Sequence, residues 1–83
     1  MKAWKVWCPE AGEDEPDAQD VEARSAWEAA TQRAREDMED ASLTEDTPSR
    51  YLVRDGDEVR TFDAEVIPAS LGVTEREPER GRG

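Results

Sequence analysis

Arg50-Tyr51-Leu52-Val53-Arg54-Asp55-Gly56-Asp57-Glu58-Val59-Arg60-Thr61-Phe62-Asp63-Ala64-Glu65-Val66-Ile67 is the stretch that decides the fold. Asp-Gly between two alternating apolar runs is a strong hairpin signal, because glycine supplies the positive φ that a tight turn needs. Residues 50–54 and 58–67 therefore read as two antiparallel strands. A two-residue Asp55-Gly56 loop sets Val53 opposite Glu58, so odd residues before the turn share a face with even residues after it. Tyr51 and Val53 then line one face with Phe62, Ala64 and Val66. A four-residue loop keeps that parity, whereas a three-residue loop scrambles it. Pro68 has no amide hydrogen for the ladder and closes the second strand.

Upstream of the hairpin, residues 44–49 form a loop holding Pro48. Before it, Ser25-Ala26-Trp27-Glu28 is a capping box: the serine hydroxyl accepts from the amide three residues on, and Glu28 reaches back. Trp27, Ala30, Ala34, Met38 and Ala41 follow at spacings of three and four, which makes one narrow apolar stripe. A helix over 26–39 is expected, its alanines letting it lie close to a sheet. Arg33–Asp37 and Arg35–Glu39 are i,i+4 pairs of opposite charge, worth about 0.2–0.5 kcal/mol each.

At the N-terminus, residues 2–7 read as a strand with Trp4 and Val6 on one face and Ala3, Lys5 and Trp7 on the other. Trp7 is thus a candidate exposed contact residue. Pro9 ends the strand, and residues 10–17 form an acidic loop with Gly12 and Pro16. Residues 19–24 suit a second strand, with Val21 and Ala23 buried and Asp20 and Glu22 facing water. The order β-β-α-β-β predicts an α+β fold: a small antiparallel sheet with one helix packed on one face. One compact domain should span 1–70, followed by a disordered charged tail over 71–83, where residues 75–83 hold nothing apolar.

Composition excludes more than it names. The chain has 83 residues, 22 acidic and 11 basic, for a formal net charge of −11. That surface disfavours direct nucleic-acid binding, because phosphate neutralisation needs basic side chains. The interleaved Lys2, Trp4, Lys5 and Trp7 are too few to reverse it. No apolar run approaches the ~18 residues of a membrane span, and no signal-peptide core precedes the first strand. The lone Cys8 fits a reducing, cytoplasmic setting and reads as a partly buried small hydrophobe.

Catalytic constellations are not visible. Histidine is absent, and with it the commonest general base. Asp55-Gly56-Asp57-Glu58 lacks the spaced acids of a calcium loop, and no glycine-rich phosphate loop exists. The expectation is a protein that is not an enzyme, with no cofactor, no metal and no small-molecule ligand.

The acid is clustered. Glu13, Asp14, Glu15 and Asp17 crowd the first loop, and Glu36, Asp37, Glu39 and Asp40 crowd the helix end. A helix C-terminus is the negative end of the macrodipole, so acid there works against local stability. Three readings account for it: a solvated surface that confers solubility, imitation of duplex phosphates, or adaptation to high salt. The last draws on only two lysines standing beside nine arginines.

The layout from Val21-Glu22-Ala23-Arg24-Ser25 through Trp27-Glu28-Ala29-Ala30, Tyr51-Leu52-Val53-Arg54-Asp55-Gly56 and Phe62-Asp63-Ala64-Glu65-Val66 resembles small acidic proteins of phages and mobile elements. Anti-CRISPR inhibitors are found among them. The resemblance covers residues 2–68, is one of layout and charge, and carries over no functional residue. It implies a cytoplasmic inhibitor in the host cell whose partner is a basic nucleic-acid-binding protein or complex, such as a CRISPR surveillance complex. The two acid clusters, Glu13, Asp14, Glu15 and Asp17 with Glu36, Asp37, Glu39 and Asp40, are the expected contact residues. The alternative is a small accessory or structural domain, of phage or halophile, whose acidity serves only solubility.

Overall fold

Asp55 pairs with Glu58, Val53 with Arg60 and Tyr51 with Phe62, so the two-residue turn is Gly56-Asp57. This corrects the expected register by two residues and preserves its parity. Gly56 takes a φ of 63° at the first turn position, as a type II′ turn requires. Tyr51, Val53, Phe62 and Ala64 are all buried on one face, as the alternation predicts.

The computed structural model describes residues 1–41, 43–67 and 70–76. Its elements are β1 (Lys2–Trp7), two 3-10 turns (Pro9–Ala11 and Glu15–Asp17), β2 (Gln19–Ala23), α1 (Ala26–Glu39), β3 (Ser49–Asp55), β4 (Glu58–Ile67) and β5 (Ser70–Arg76). The strands form one antiparallel sheet in the order β2-β1-β3-β4-β5, and α1 packs across all five. The α+β class is therefore as expected, with one strand more. No described helix is long and apolar enough to cross a membrane.

β5 corrects the boundary at residue 70. Leu71 and Val73 pack against the core opposite Val66 and Ala64, while Glu75 and Arg76, two of the charged residues that suggested a tail, form cross-strand ion pairs. Glu75 binds Arg60 at 2.7 Å and Arg76 binds Asp63 at 3.0 Å. Two apolar residues in seven are too weak a pattern to announce a strand without those partners. Residues 77–83 of the expected tail lie outside the described residues.

The helix begins where the cap places it: Ser25 Oγ accepts from the Glu28 amide at 3.1 Å. Glu28 itself reaches one residue further back than a capping box demands, accepting from the Arg24 amide at 2.7 Å. The buried residues are Ala26, Ala29, Ala30, Thr31, Arg33 and Ala34, with Met38 partly buried against the core. Ala30, Ala34 and Met38 of the expected stripe thus lie on the core face, while Trp27 and Ala41 do not. Ala41 lies beyond the helix with a φ of 63°, a left-handed conformation costing alanine about 1–2 kcal/mol. The turn delivers Leu43 into the core at 1% exposure, and that burial, about 1.5–3 kcal/mol, offsets the strain.

Trp27 is 47% exposed and serves the sheet edge. Asp55 and Glu58 close the two-residue hairpin as a hydrogen-bonded pair, so even residues of β4 bond to β3 and odd ones to β5. Even residues of β5 then bond to β4, and Leu71, Val73 and Glu75 present their backbone groups to the free edge. The indole Nε1 of Trp27 donates to the Val73 carbonyl at 2.8 Å, which closes the middle of that edge. Trp27→Phe keeps the ring and removes the donor. It should cost about 0.5–1.5 kcal/mol in urea unfolding followed by circular dichroism and speed hydrogen exchange along β5. An unchanged midpoint and exchange rate would show that the edge needs no cap.

Candidate functional site

The first acid cluster begins at a tight reversal. Ala11 and Gly12 amides return to the Cys8 and Pro9 carbonyls at 3.0 and 2.9 Å, and Gly12 ends the turn at a φ of 82°. The reversal brings the Glu13 carboxylate back onto the Cys8 amide at 3.0 Å and against Arg33 of α1. Arg33 is only 7% exposed. Its Nη1 and Nη2 donate to the two Glu13 oxygens at 3.2 and 2.9 Å, and its Nε lies 3.4 Å from Asp37. The Tyr51 hydroxyl donates to Asp37 at 2.6 Å, and the Arg33 guanidinium lies 5.8 Å from the Tyr51 ring centre. One buried cation thus joins the first loop, the helix and β3.

The titration of these groups follows from that arrangement. The hydrogen bond from Arg33 holds the Glu13 carboxyl below the usual carboxylate range. Burial disfavours the Arg33 charge, but Glu13 and Asp37 more than compensate and raise its pKa. Burial, then the Asp37 carboxylate, push the Tyr51 hydroxyl well above its ordinary value. Burial also raises the Cys8 thiol, which at 3% exposure is a small buried hydrophobe rather than a nucleophile.

Glu15 reaches the other side of the sheet. Arg54, on the face opposite Tyr51 and Val53, donates to it through Nε at 2.8 Å and Nη2 at 2.6 Å. That pair holds Glu15 below the usual carboxylate range. The segment spanning the two 3-10 turns packs on β1 and β3 and covers Trp7, which is 6% exposed. Trp7 is therefore not the exposed contact residue that strand parity suggested. Asp14 and Asp17 are exposed, and Asp17 accepts from the Asp14 amide at 3.3 Å across the second turn.

The second cluster is arranged differently. Asp37 turns inward to Arg33 and Tyr51, while Glu36, Glu39 and Asp40 are exposed. Glu45 and Asp46, just beyond, are exposed too. None of these five carboxylates has an ion-pair partner among the described residues. No basic residue stands in the last helical turn. The structure therefore separates the eight expected contact residues. Glu13, Glu15 and Asp37 hold the fold, Asp14 and Asp17 shape a turn, and Glu36, Glu39 and Asp40 face solvent.

The Arg33–Asp37 pair is as the sequence predicts, but the burial of Arg33 and its bond to Glu13 were not foreseen. The available signal was the helix face: Arg33 falls between Ala30 and Ala34, three residues after one inward alanine and one before the next. No protein-family model matches the chain, and no match was found among curated proteins or solved structures.

Removing Arg33 leaves Glu13 and Asp37 without their cation in a half-buried setting. Arg33→Ala should cost about 3–5 kcal/mol, enough to unfold a core of this size. Glu36→Ala should stay within about 0.5 kcal/mol by the same urea titration. Glu13, Glu15 and Glu75 titrate lower folded than unfolded, so the unfolded chain binds more protons as pH falls. Their contribution is present above the unfolded carboxylate value of about 4.3 and is lost as pH drops through the lowered folded values. Thermal melts should fall steeply in that window, and the Glu13→Gln, Glu15→Gln double variant should flatten the slope.

Proposed function

We propose that the chain is a non-enzymatic, cytoplasmic interaction protein that occupies a basic, nucleic-acid-binding surface of another protein. The observation that carries this reading is the acidic end of α1: Glu36, Glu39 and Asp40 stand exposed without an ion pair among the described residues on a helix terminus whose dipole disfavours them, and Glu45 and Asp46 stand exposed and unpaired just beyond it. Acid held there against local stability suits a partner that supplies the missing cations. Steering by the net charge would speed the encounter, and salt would weaken it. The resemblance to small phage proteins makes an anti-CRISPR role its concrete form, the partner being the nucleic-acid channel of a CRISPR surveillance complex.

A second reading has its own observation. Exposed acid is not confined to the helix end: Glu22, Asp57, Glu58 and Glu65 also face solvent. That spread suits a small accessory domain kept soluble by its charge, whether in a phage or at high salt.

The two separate in one experiment. The tagged protein is used to capture partners from lysate at low salt, beside a Glu36→Lys, Glu39→Lys, Asp40→Lys variant. Asp37 is left intact because its substitution would break the Arg33 and Tyr51 contacts. The expected result is one nucleic-acid-handling protein or complex, displaced by duplex DNA and by moderate salt, and absent with the variant. Equal capture by the variant, or no specific capture, would overturn the reading. Circular dichroism in rising KCl then tests salt adaptation, which requires a gain of structure near molar salt.

A further inference from the structure

On the sheet face away from α1, Arg50 of β3 lies directly across from Asp63 of β4, and Arg76 of β5, which pairs with Thr61, reaches the same aspartate on the diagonal. Elsewhere among the described residues each ion-paired cation has at least one carboxylate of its own; here one carboxylate serves two arginines. Arg50 Nε lies 3.5 Å from Asp63 Oδ1, and Arg76 Nε donates to Oδ2 at 3.0 Å. Both guanidinium groups use only Nε, so their terminal Nη pairs have no acceptor among the described residues. Arg54 and Arg60 differ, closing both Nε and an Nη onto a single glutamate.

The two open forks border a groove of about 400 Å³ lined also by Glu10, Ser49 and Glu65. That volume suits a small molecule. Glu10 is fixed beside Arg50 by accepting its backbone amide at 2.7 Å, which leaves its second oxygen free of protein donors among the described residues. Glu65 is exposed and has no ion-pair partner among them. The charges are thus sorted within one groove: two guanidinium forks preorganised by Asp63, and two carboxylates beside them.

We propose that this groove binds a small zwitterion, its oxyanion received by Arg50 and Arg76 and its ammonium by Glu10 and Glu65. Planar forks favour an anion presenting several oxygens, as a phosphate monoester does. The flanking carboxylates repel a bare anion and attract one that carries an amine. The site is independent of the acidic helix end, which lies on the other side of the sheet.

The test is an amide-resolved NMR titration of the full chain with phosphoethanolamine, with inorganic phosphate and ethanolamine as its separate halves. Phosphoethanolamine should give saturable shifts centred on Ser49, Arg50 and Glu65, phosphate weaker ones and ethanolamine none. Arg76→Gln should weaken binding by about tenfold or more. Arg76→Lys keeps the charge without the fork, tests the same contact should the glutamine variant not fold, and should also weaken it. Glu65→Gln should act in opposite directions, weakening phosphoethanolamine and strengthening inorganic phosphate. Shifts that do not saturate, that survive both Arg76 substitutions, or that are as strong with phosphate alone would overturn the assignment.

Discussion

Arg33 is the interaction on which the rest of this structure depends. The helix that covers the sheet presents mostly alanines to it: Ala26, Ala29, Ala30 and Ala34. Each contributes a single methyl group, on the order of 0.8 kcal/mol of burial, so apolar packing alone holds the helix weakly. A guanidinium bound by Glu13 and Asp37, with Tyr51 hydrogen-bonded to the second, supplies what the small side chains do not. A buried charge is favourable only when its partners satisfy it, and every buried side-chain nitrogen and oxygen among the described residues has a partner. The same network dictates how the loop after β1 must run, since Glu13 can reach Arg33 only through the reversal at Gly12.

Seen from that network, the excess of acid is less uniform than its total suggests. Glu13 and Glu15 stand two residues apart and reach opposite sides of the sheet, one to the helix and one to Arg54. Together they clamp the segment that covers Trp7. Arg60 plays a matching part at the far end of the hairpin, joining Asp55 of β3 to Glu75 of β5 beside the Phe62 ring. These acids reduce self-repulsion because cations neutralise them in place. The carboxylates at the end of α1 do not share that role: Glu36, Glu39 and Asp40 are exposed and have no ion pair among the described residues.

Local signals in the sequence were sufficient where chemistry is local. Ser25 specifies the helix start, glycine at position 56 specifies a hairpin, and alternation assigns Tyr51, Val53, Phe62 and Ala64 to one face. Register within the hairpin was less legible, because Asp55-Gly56 and Gly56-Asp57 turns preserve the same parity and differ only in which pair closes. β5 was hidden because its own apolar residues are only Leu71 and Val73, and its charged residues are held by Arg60 and Asp63 on a neighbouring strand. The same holds for the candidate site. A run of acids looks alike in sequence whether a carboxylate faces solvent or a buried arginine, and Glu13, Glu15 and Asp37 are told apart from Glu36, Glu39 and Asp40 only by tertiary partners. Trp7 and Trp27 exchanged their expected exposures for that reason too, one covered by a loop and the other drawn to an edge.

The choice of arginine over lysine gains a structural cause from these contacts. Nine arginines beside two lysines is the feature on which the salt-adaptation reading rests. Yet Arg33, Arg54 and Arg60 each bind a glutamate through two nitrogens, and Arg33 and Arg60 also reach an aspartate. An ammonium is a point charge that cannot present two parallel donors, so lysine at these positions would leave a carboxylate oxygen unbound. Lys5, whose partner Asp20 lies directly across the strand pair at 2.7 Å, needs only a point charge. Arginine is therefore required by geometry at three positions that hold the fold, and its abundance loses weight as a sign of salt adaptation. What remains to distinguish the functional readings is the exposed acid itself, which crowds the end of α1 but also stands at Glu22, Asp57, Glu58 and Glu65.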